Sequence, residues 1–296
     1  HPVAHSFPTR RSSDLMKINK TNLRIGIEGN GIFGWRGPSR NTRNMIRALS
    51  QAFPDNHYTV FIYKEPDHYF YTADNLDYVV ITKKTFISWL NISLPLAAKK
   101  QKLDLMLFPQ GNFWSWHPMP TFIIVRTVTI AQFNPGIINY FSTMIRRHRL
   151  KNVGDWIGAV SHFNVKQLFL TCRVPEEKTV VINNGLDPGF LKNKIQDSDM
   201  DYDYIVFAGG NERRKNYHTL IQAFRLYKDQ GGTEKLVVIG GKYGNEPETN
   251  ERLKLARMFN LESDVIFKGV ITSTEDLASL YANARLLVFP STQETF

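Results

Sequence analysis

Cysteine is almost absent from this chain. The single thiol, Cys172, excludes an intramolecular disulfide and any zinc cage built on cysteines, and it fits a reducing compartment. Long apolar runs are missing as well. The most apolar stretch, 122–130, is short and carries Arg126, so no segment reads as a membrane-spanning helix. Acidic side chains are in deficit, with 27 Asp and Glu against 37 Lys and Arg, a formal charge of +10. There is no paired-aspartate motif of the kind that holds a divalent metal, so neither a metal nor another cofactor is expected. The basic residues are dispersed and no nucleic-acid module is recognisable, so nucleic acid is not an expected partner. Phosphorylated small molecules and anionic membrane surfaces remain as partner classes for the positive charge.

What is present suits a soluble two-domain protein: 296 residues, 42% of them apolar and 22% charged. Residues 1–15, HPVAHSFPTRRSSDL, lack an apolar signal region and any periodic pattern. They read as a non-native or disordered leader, with the native chain starting at Met16. At the other end, a strand-like run over 286–289 is followed within a few residues by Phe296, which reads as a truncation inside a domain.

Short β-rich runs alternate with segments of helical period. Strands are predicted at 23–29, 58–63, 78–81, 105–108, 122–128, 157–160 and 180–182, then at 204–207, 236–239, 265–267 and 286–289. Helices are predicted at 40–53, 137–151, 161–171, 217–228, 249–259 and 274–283. This alternation predicts βαβ units and parallel sheets, an α/β fold. The composition turns polar and aperiodic across 190–203. The chain therefore divides into a first domain over 16–190, a linker over 191–203 and a second domain over 204–296.

The strongest chemical signal is IVFAGGNERRKNYHTLIQAF, residues 205–224. A buried strand runs into Gly209-Gly210, then into the basic loop Arg213-Arg214-Lys215. Asn216 is placed to cap the following helix. Glycines allow close approach of a ligand to the backbone, and a helix N-terminus offers unpaired N–H groups and the positive end of its dipole. With Arg214 and Lys215 beside it, such a turn can hold a diphosphate. A plain solvated basic turn is the alternative. A second glycine run, Gly29, Gly31 and Gly34, satisfies GxGxxG literally. The intervening residues 35–39 and the late acidic positions Glu65 and Asp67 argue against a dinucleotide site there and against an NAD-dependent oxidoreductase. The run reads as a flexible glycine lip or an ordinary βα turn.

With these loops in place, the chain resembles a family 4 retaining glycosyltransferase of the GT-B architecture over residues 23–296. The stretches carrying the resemblance are RIGIEGNGIFGWRGPSRNTRNMIRAL, AVSHFNVKQL, VVINNGLDPGF, FAGGNERRKNYHTLIQAF, KLVVIGG and the final DVIFKGVITSTEDLASLYANARLLVFPSTQETF, in that order. The resemblance implies two Rossmann-like parallel-sheet domains facing a cleft, the second incomplete here. It implies transfer of a sugar from a nucleotide-diphosphate sugar to an acceptor hydroxyl, in cell-surface polysaccharide or glycolipid synthesis, with no metal required. Lys215 and Arg214 would hold the donor diphosphate, with Gly37 and Gly210 close to it, and the backbone near Val270 would touch the base. Glu294 matches the first glutamate of a paired-glutamate motif and would lie at the transferred sugar, as the catalytic residue. The family often keeps a His-Asp pair after a first-domain strand. Here IIVRTVTIAQFNP (123–135) puts Arg126-Thr127 or Thr127-Val128 in that place. His117 and His162 read as surface or packed histidines rather than substitutes.

Two further features bear on partners. In IINYFSTMIRRHRLK (137–151), apolar positions at helical spacing precede a cluster of Arg146, Arg147, Arg149 and Lys151. Such a helix can lie on an anionic leaflet and face a lipid-linked acceptor, or it can pack on the first sheet. A cytoplasmic enzyme peripheral to the membrane, taking a saccharide or lipid-linked acceptor, is the matching expectation. Phe113, Trp114 and Trp116 could stack on a sugar ring or be buried. A non-catalytic basic binding protein, or an inactive fragment of the enzyme, is the competing reading.

Overall fold

The computed structural model describes residues 22–34, 37–65, 70–82, 85–116, 118–126, 137–191, 200–209, 213–241 and 247–294. The leader and most of the linker expected at 191–203 lie outside the described residues. The chain divides into two units, the first formed mainly by residues up to Asn184 and the second mainly by Gly185–Glu294.

In the first unit, β1 (Arg24–Glu28) is followed by α1 (Gly37–Ala52), β2 (His57–Ile62) and β3 (Leu76–Val80). Next comes α2, made of Phe86–Ser88, a π-helical stretch Trp89–Ser93 and Leu94–Lys100. Then follow β4 (Leu105–Phe108), β5 (Thr121–Val125), α3 (Ile137–Val153), β6 (Trp156–Ala159), α4 (His162–Cys172) and β7 (Thr179–Val181). The seven strands are parallel and ordered β3-β2-β1-β4-β5-β6-β7. The chain winds outward from β1 in one direction and from β4 in the other. The switch point where ligands enter such sheets therefore lies between these two strands.

Side chains alternate across the strands as the pleat requires. Phe61, Met106, Phe108, Ile123 and Val125 face α2, α3 and α4, meeting Trp89, Leu94, Leu150 and Leu168. Tyr58, Val60, Ile62, Leu107 and Ile124 face α1 through Ile46, Met45 and Leu49. Because both faces are covered, the strands read in sequence as continuous apolar runs.

The helix over 86–100 was not expected from the sequence. Pro95 sits inside it and cannot donate to the carbonyl of Asn91 one turn back. The π-stretch widens the turn there, with Leu94 N–H reaching Trp89 O. The indole Nε1–H of Trp116 takes up the Asn91 carbonyl instead, at 2.9 Å. Helical periodicity is broken by this rearrangement, which hides the element from a pattern reading.

In the second unit, β8 (Tyr204–Ala208), α5 (Tyr217–Asp229), β9 (Lys235–Ile239), α6 (Pro247–Met258), β10 (Val265–Gly269), α7 (Thr274–Ala282) and β11 (Leu286–Leu287) build a parallel sheet ordered β10-β9-β8-β11. Phe207, Leu236 and Val238 pack against Leu220, Ile221, Phe224 and Ala256 of α5 and α6. Tyr204, Val206, Val237 and Ile239 pack on the other face with Leu280 of α7.

The glycine lip after β1 is occupied by the protein itself. A Cβ on Gly29 would meet Val60 Cγ1 at 2.5 Å, Ile62 Cγ2 at 2.9 Å and the Phe61 carbonyl at 3.0 Å. One on Gly31 would overlap the Gln110 side chain at 2.0–2.4 Å. Asn30–Phe33 forms a 3₁₀ turn, and α1 opens at Gly37 rather than at Gly34. These glycines serve close packing, which removes the dinucleotide reading of the motif. Gly29→Ala is expected to destabilise the protein by about 1–3 kcal/mol through overpacking. Chemical denaturation checks this, and an unchanged midpoint would count against it.

Candidate functional site

In a parallel sheet the loops that follow the strands gather at one edge. In the second unit, β8 and β11 are neighbours, so the loops after them meet. The loop after β8 carries a 3₁₀ turn over Arg213–Lys215, and the loop after β11 carries residues 290–294. Backbone and side chains stitch the two together. Thr292 N–H donates to the Arg214 carbonyl at 2.9 Å. Asn216 Nδ2 donates to the Pro290 carbonyl at 3.1 Å, and an Arg214 Nη1 N–H reaches the Gln293 carbonyl at 3.3 Å.

This stitching brings Glu294 onto both expected cations. Lys215 Nζ lies 2.6 Å from Glu294 Oε1, and Arg214 Nη1 lies 2.8 Å from Oε2. The Lys215 side chain is only 15% exposed, and its ammonium lies 5.8 Å from the Phe289 ring centroid. Partial burial pushes the Glu294 carboxyl up. The hydrogen bond from Lys215 and the charges of Lys215 and Arg214 outweigh this and hold it below its ordinary 4.5. The site thus contains two cations and one carboxylate, with a net positive charge.

Asn216 does not cap α5 in the expected way. Its backbone is left-handed (φ 55°, ψ 44°), a conformation Asn tolerates, and its side chain accepts no hydrogen bond from the first turn of the helix backbone. Its Nδ2 is committed to Pro290 and its Oδ1 accepts from Thr219 Oγ1 at 2.9 Å. It acts as the joint between the two loops. Arg252 of α6 is a contributor the sequence reading missed. It is buried against the Tyr217 ring, at 4.7 Å, and donates to the Gly209 carbonyl at 3.3 Å, steadying the loop after β8. Nothing in its local sequence marks it, because its partners come from two other elements.

The other expected positions lie on other elements. Val270 is exposed just past β10. Gly37 opens α1, and a Cβ there would meet nothing within 4 Å, so packing does not require glycine. Gly210 lies outside the described residues, as do His117 and residues 127–136. His162 is exposed at the start of α4. Trp114 is fully buried, edge-on to Phe108, and Phe113 is buried under Arg149, so neither is available to stack on a sugar. Trp116 keeps an exposed ring. Among the described residues, no three His, Cys, Asp or Glu side chains gather as a metal ion would need.

The first unit has a cationic cluster of its own at the corresponding edge. Arg126 follows β5 and is partly buried, which lowers its pKa. Its Nη1 donates to Asn184 Oδ1 at 2.8 Å, its Nη2 to Asn41 Oδ1, and its Nε to the Pro109 carbonyl at 3.3 Å.

Comparison with known proteins bears on the family of the second unit and on the fold. The family described as glycosyl transferases group 1 matches residues 191–296. This stretch is a glycosyltransferase group 1 domain. The serotype-specific mannosyltransferase WbdA of Escherichia coli is 34% identical over 131 residues, 44% of this chain and 15% of that protein. A second WbdA sequence of that species is 28% identical over 156 residues, 48% of this chain and 18% of that protein. The matches thus span less than a fifth of these relatives' length. Among solved structures, sucrose-phosphate synthase from Thermosynechococcus elongatus aligns with a TM-score of 0.70 at 18% identity, over 93% of this chain and 77% of that one. Anabaena HepE in complex with UDP and glucose gives 0.66 at 14%, over 93% and 75%. WaaG, a glycosyltransferase involved in lipopolysaccharide biosynthesis, gives 0.62 at 16%, over 92% and 75%. The fold is GT-B, with two Rossmann-like parallel-sheet units.

The ion-pair geometry generates a pH prediction. A carboxyl held below its ordinary pKa stabilises the fold above the unfolded value, and the contribution is lost as pH falls through the folded value. The stability difference between the wild-type chain and Glu294→Gln should therefore be largest near neutrality and shrink below about pH 4.5. Denaturation midpoints from pH 3 to 7 measure it. A difference that stays constant with pH would contradict the pairing.

Proposed function

We propose that this chain transfers a sugar from a nucleotide-diphosphate donor to an acceptor hydroxyl. The observation that carries the reading is the meeting of Lys215, Arg214 and Glu294 where β8 and β11 end. The group 1 match over the same unit and the sugar-transferring relatives support it. In this reading the donor diphosphate displaces the Glu294 carboxylate from the two cations, gaining charge-assisted hydrogen bonds. Negative charge develops on the leaving phosphate during transfer. Lys215, Arg214 and the N-terminal end of α5 stabilise it there, with no role required of a metal. Glu294, released from the cations, turns to the hydroxyls of the transferred sugar. Gly37 and Gly210 accompany the diphosphate, and the backbone at Val270 meets the base. Retention of anomeric configuration belongs to the same reading.

Mannose is named for the curated relatives, so GDP-mannose is the first donor to test, followed by UDP-glucose. The product fits cell-surface polysaccharide or glycolipid synthesis, with a saccharide or lipid-linked acceptor. A screen of nucleotide sugars should show release of nucleoside diphosphate, and Lys215→Ala should lower it by about 10²-fold or more. Equal turnover by Lys215→Ala, or no binding of any nucleoside diphosphate by the wild-type chain, would overturn the reading.

Placement on the cytoplasmic face of a membrane forms part of the proposal. Among the described residues, no helix is long and apolar enough to cross a bilayer. In α3, Met144 and Ile145 are exposed, whereas Leu150 and Val153 are buried in the first unit. Arg149 is turned inward to the ring and carbonyl of Phe113. Lys151 is exposed and Arg147 half-buried, and these two supply positive charge on the same helix. Flotation with vesicles containing anionic lipid should capture the chain, and Met144→Asp with Ile145→Asp should release it. Capture that is equal on neutral vesicles would refute the docking.

A further inference from the structure

The cluster around Arg126 is built differently from the donor-side site. Its guanidinium is drawn out of water after β5, yet its three described partners are all neutral: two side-chain amide oxygens and one main-chain carbonyl. Asn41 Nδ2 also donates to Asn184 Oδ1 at 3.3 Å, so the two asparagines brace one another as well as the arginine. Among the described residues, no carboxylate neutralises the charge. A partly buried cation held only by amides keeps its full charge at a fixed position, and this arrangement is costly unless an anion joins it. Three of the five guanidinium N–H groups are used, which leaves one on each terminal nitrogen. The two asparagine oxygens are tied together through Asn41 Nδ2 and therefore take the inner, parallel pair of N–H groups, so the remaining two point outward, each able to give one charge-assisted hydrogen bond to a carboxylate or phosphate oxygen. The location is that of a ligand site. Pro109 follows β4, Arg126 follows β5, Asn184 lies after β7 and Asn41 is in the first turns of α1, all at the carboxyl edge of the sheet. Pro109 and α1 flank the switch point between β1 and β4. Arginine stays charged at any physiological pH.

We infer that Arg126, oriented by Asn41 and Asn184, is a binding residue for an oxyanion carried by a sugar, a carboxylate or a phosphate. The acceptor of this chain is then an acidic saccharide. The oxyanion site stands on the first unit alone, and only its assignment to the acceptor rests on the glycosyl-transfer reading.

The test is binding to the whole chain, followed by ligand-observed NMR or calorimetry, with three probes: methyl glucuronoside, glucose 6-phosphate and the neutral methyl glucoside. The charged probes should bind and the neutral one should not. Preference for the first or the second of them assigns the anion as carboxylate or phosphate. Arg126→Gln should weaken the charged probe by about 10–100-fold. Because that change removes three braces of the fold, Asn184→Asp provides the second arm. It keeps size and hydrogen bonding but supplies the missing negative charge, so it should abolish binding of the charged probes while the chain stays folded. Lys215→Ala should leave these affinities unchanged, and titration of UDP and GDP onto the same samples reports the donor site separately. Equal binding of charged and neutral sugars, or charged-probe binding that survives Asn184→Asp, overturns the inference. Loss of UDP and GDP binding alone would overturn the donor reading and leave this one standing.

Discussion

A parallel sheet delivers the carboxyl end of every strand to the same edge, and the chemistry of this protein depends on that constraint. Strand ends cannot pair their loops with one another as hairpins do, so the loops must find partners across the edge. In the second unit this makes Lys215 and Glu294, 79 positions apart, neighbours at 2.6 Å. In the first it gathers Asn41, Pro109, Arg126 and Asn184 from four separate loops or helix ends. Neither cluster exists without the strand order, and the strand order rests on apolar runs covered on both faces.

The strand pattern was legible because fully covered parallel strands are short, apolar and rich in β-branched residues, and every one of the eleven expected runs overlaps a strand. The helix over 86–100 was not legible, since Pro95 and the π-turn spoil its period while Trp116, outside it, repairs the hydrogen bonding. In the candidate site, glycines and basic residues at a strand-to-helix turn marked Arg214 and Lys215 from local sequence. Family resemblance put Glu294 at the transferred sugar, but its pairing with these two cations was not legible, because nothing short-range connects the two segments. Arg252 and the Asn41–Arg126–Asn184 brace were invisible for the same reason, each being defined by partners on other elements. Asn216 shows the opposite failure. Its residue type suits a cap, yet the tertiary demand of the adjoining loop took its side chain.

The two cationic clusters solve one electrostatic problem in different ways. Taking a cation partly out of water requires compensation, and a carboxylate is the strongest compensator available. Lys215 and Arg214 have one, which steadies the two loops and, under the proposed function, is exchanged when the donor arrives. The net cost of that exchange is moderated because Glu294 itself remains partly exposed and can recover solvation. A loop pair held in this manner is stable without ligand and permissive toward one.

Arg126 lacks such an exchangeable partner among the described residues, and its amide neighbours differ from carboxylates by a single functional group. Asparagine in place of aspartate at both 41 and 184 preserves the acceptor oxygen that orients the guanidinium while leaving its charge uncancelled. Histidine at such a position would be mostly neutral at pH 7 and could not hold two amide oxygens while keeping further donors for an anion. Arginine braced by two amides does both, and a guanidinium already held in place loses little freedom on binding. A neutral sugar hydroxyl would need neither feature, since one donor of ordinary polarity suffices for it. The combination of permanent charge, fixed orientation and missing counter-ion is therefore matched to an anion, and under the proposed function substrate selection belongs to the first unit and leaving-group stabilisation to the second.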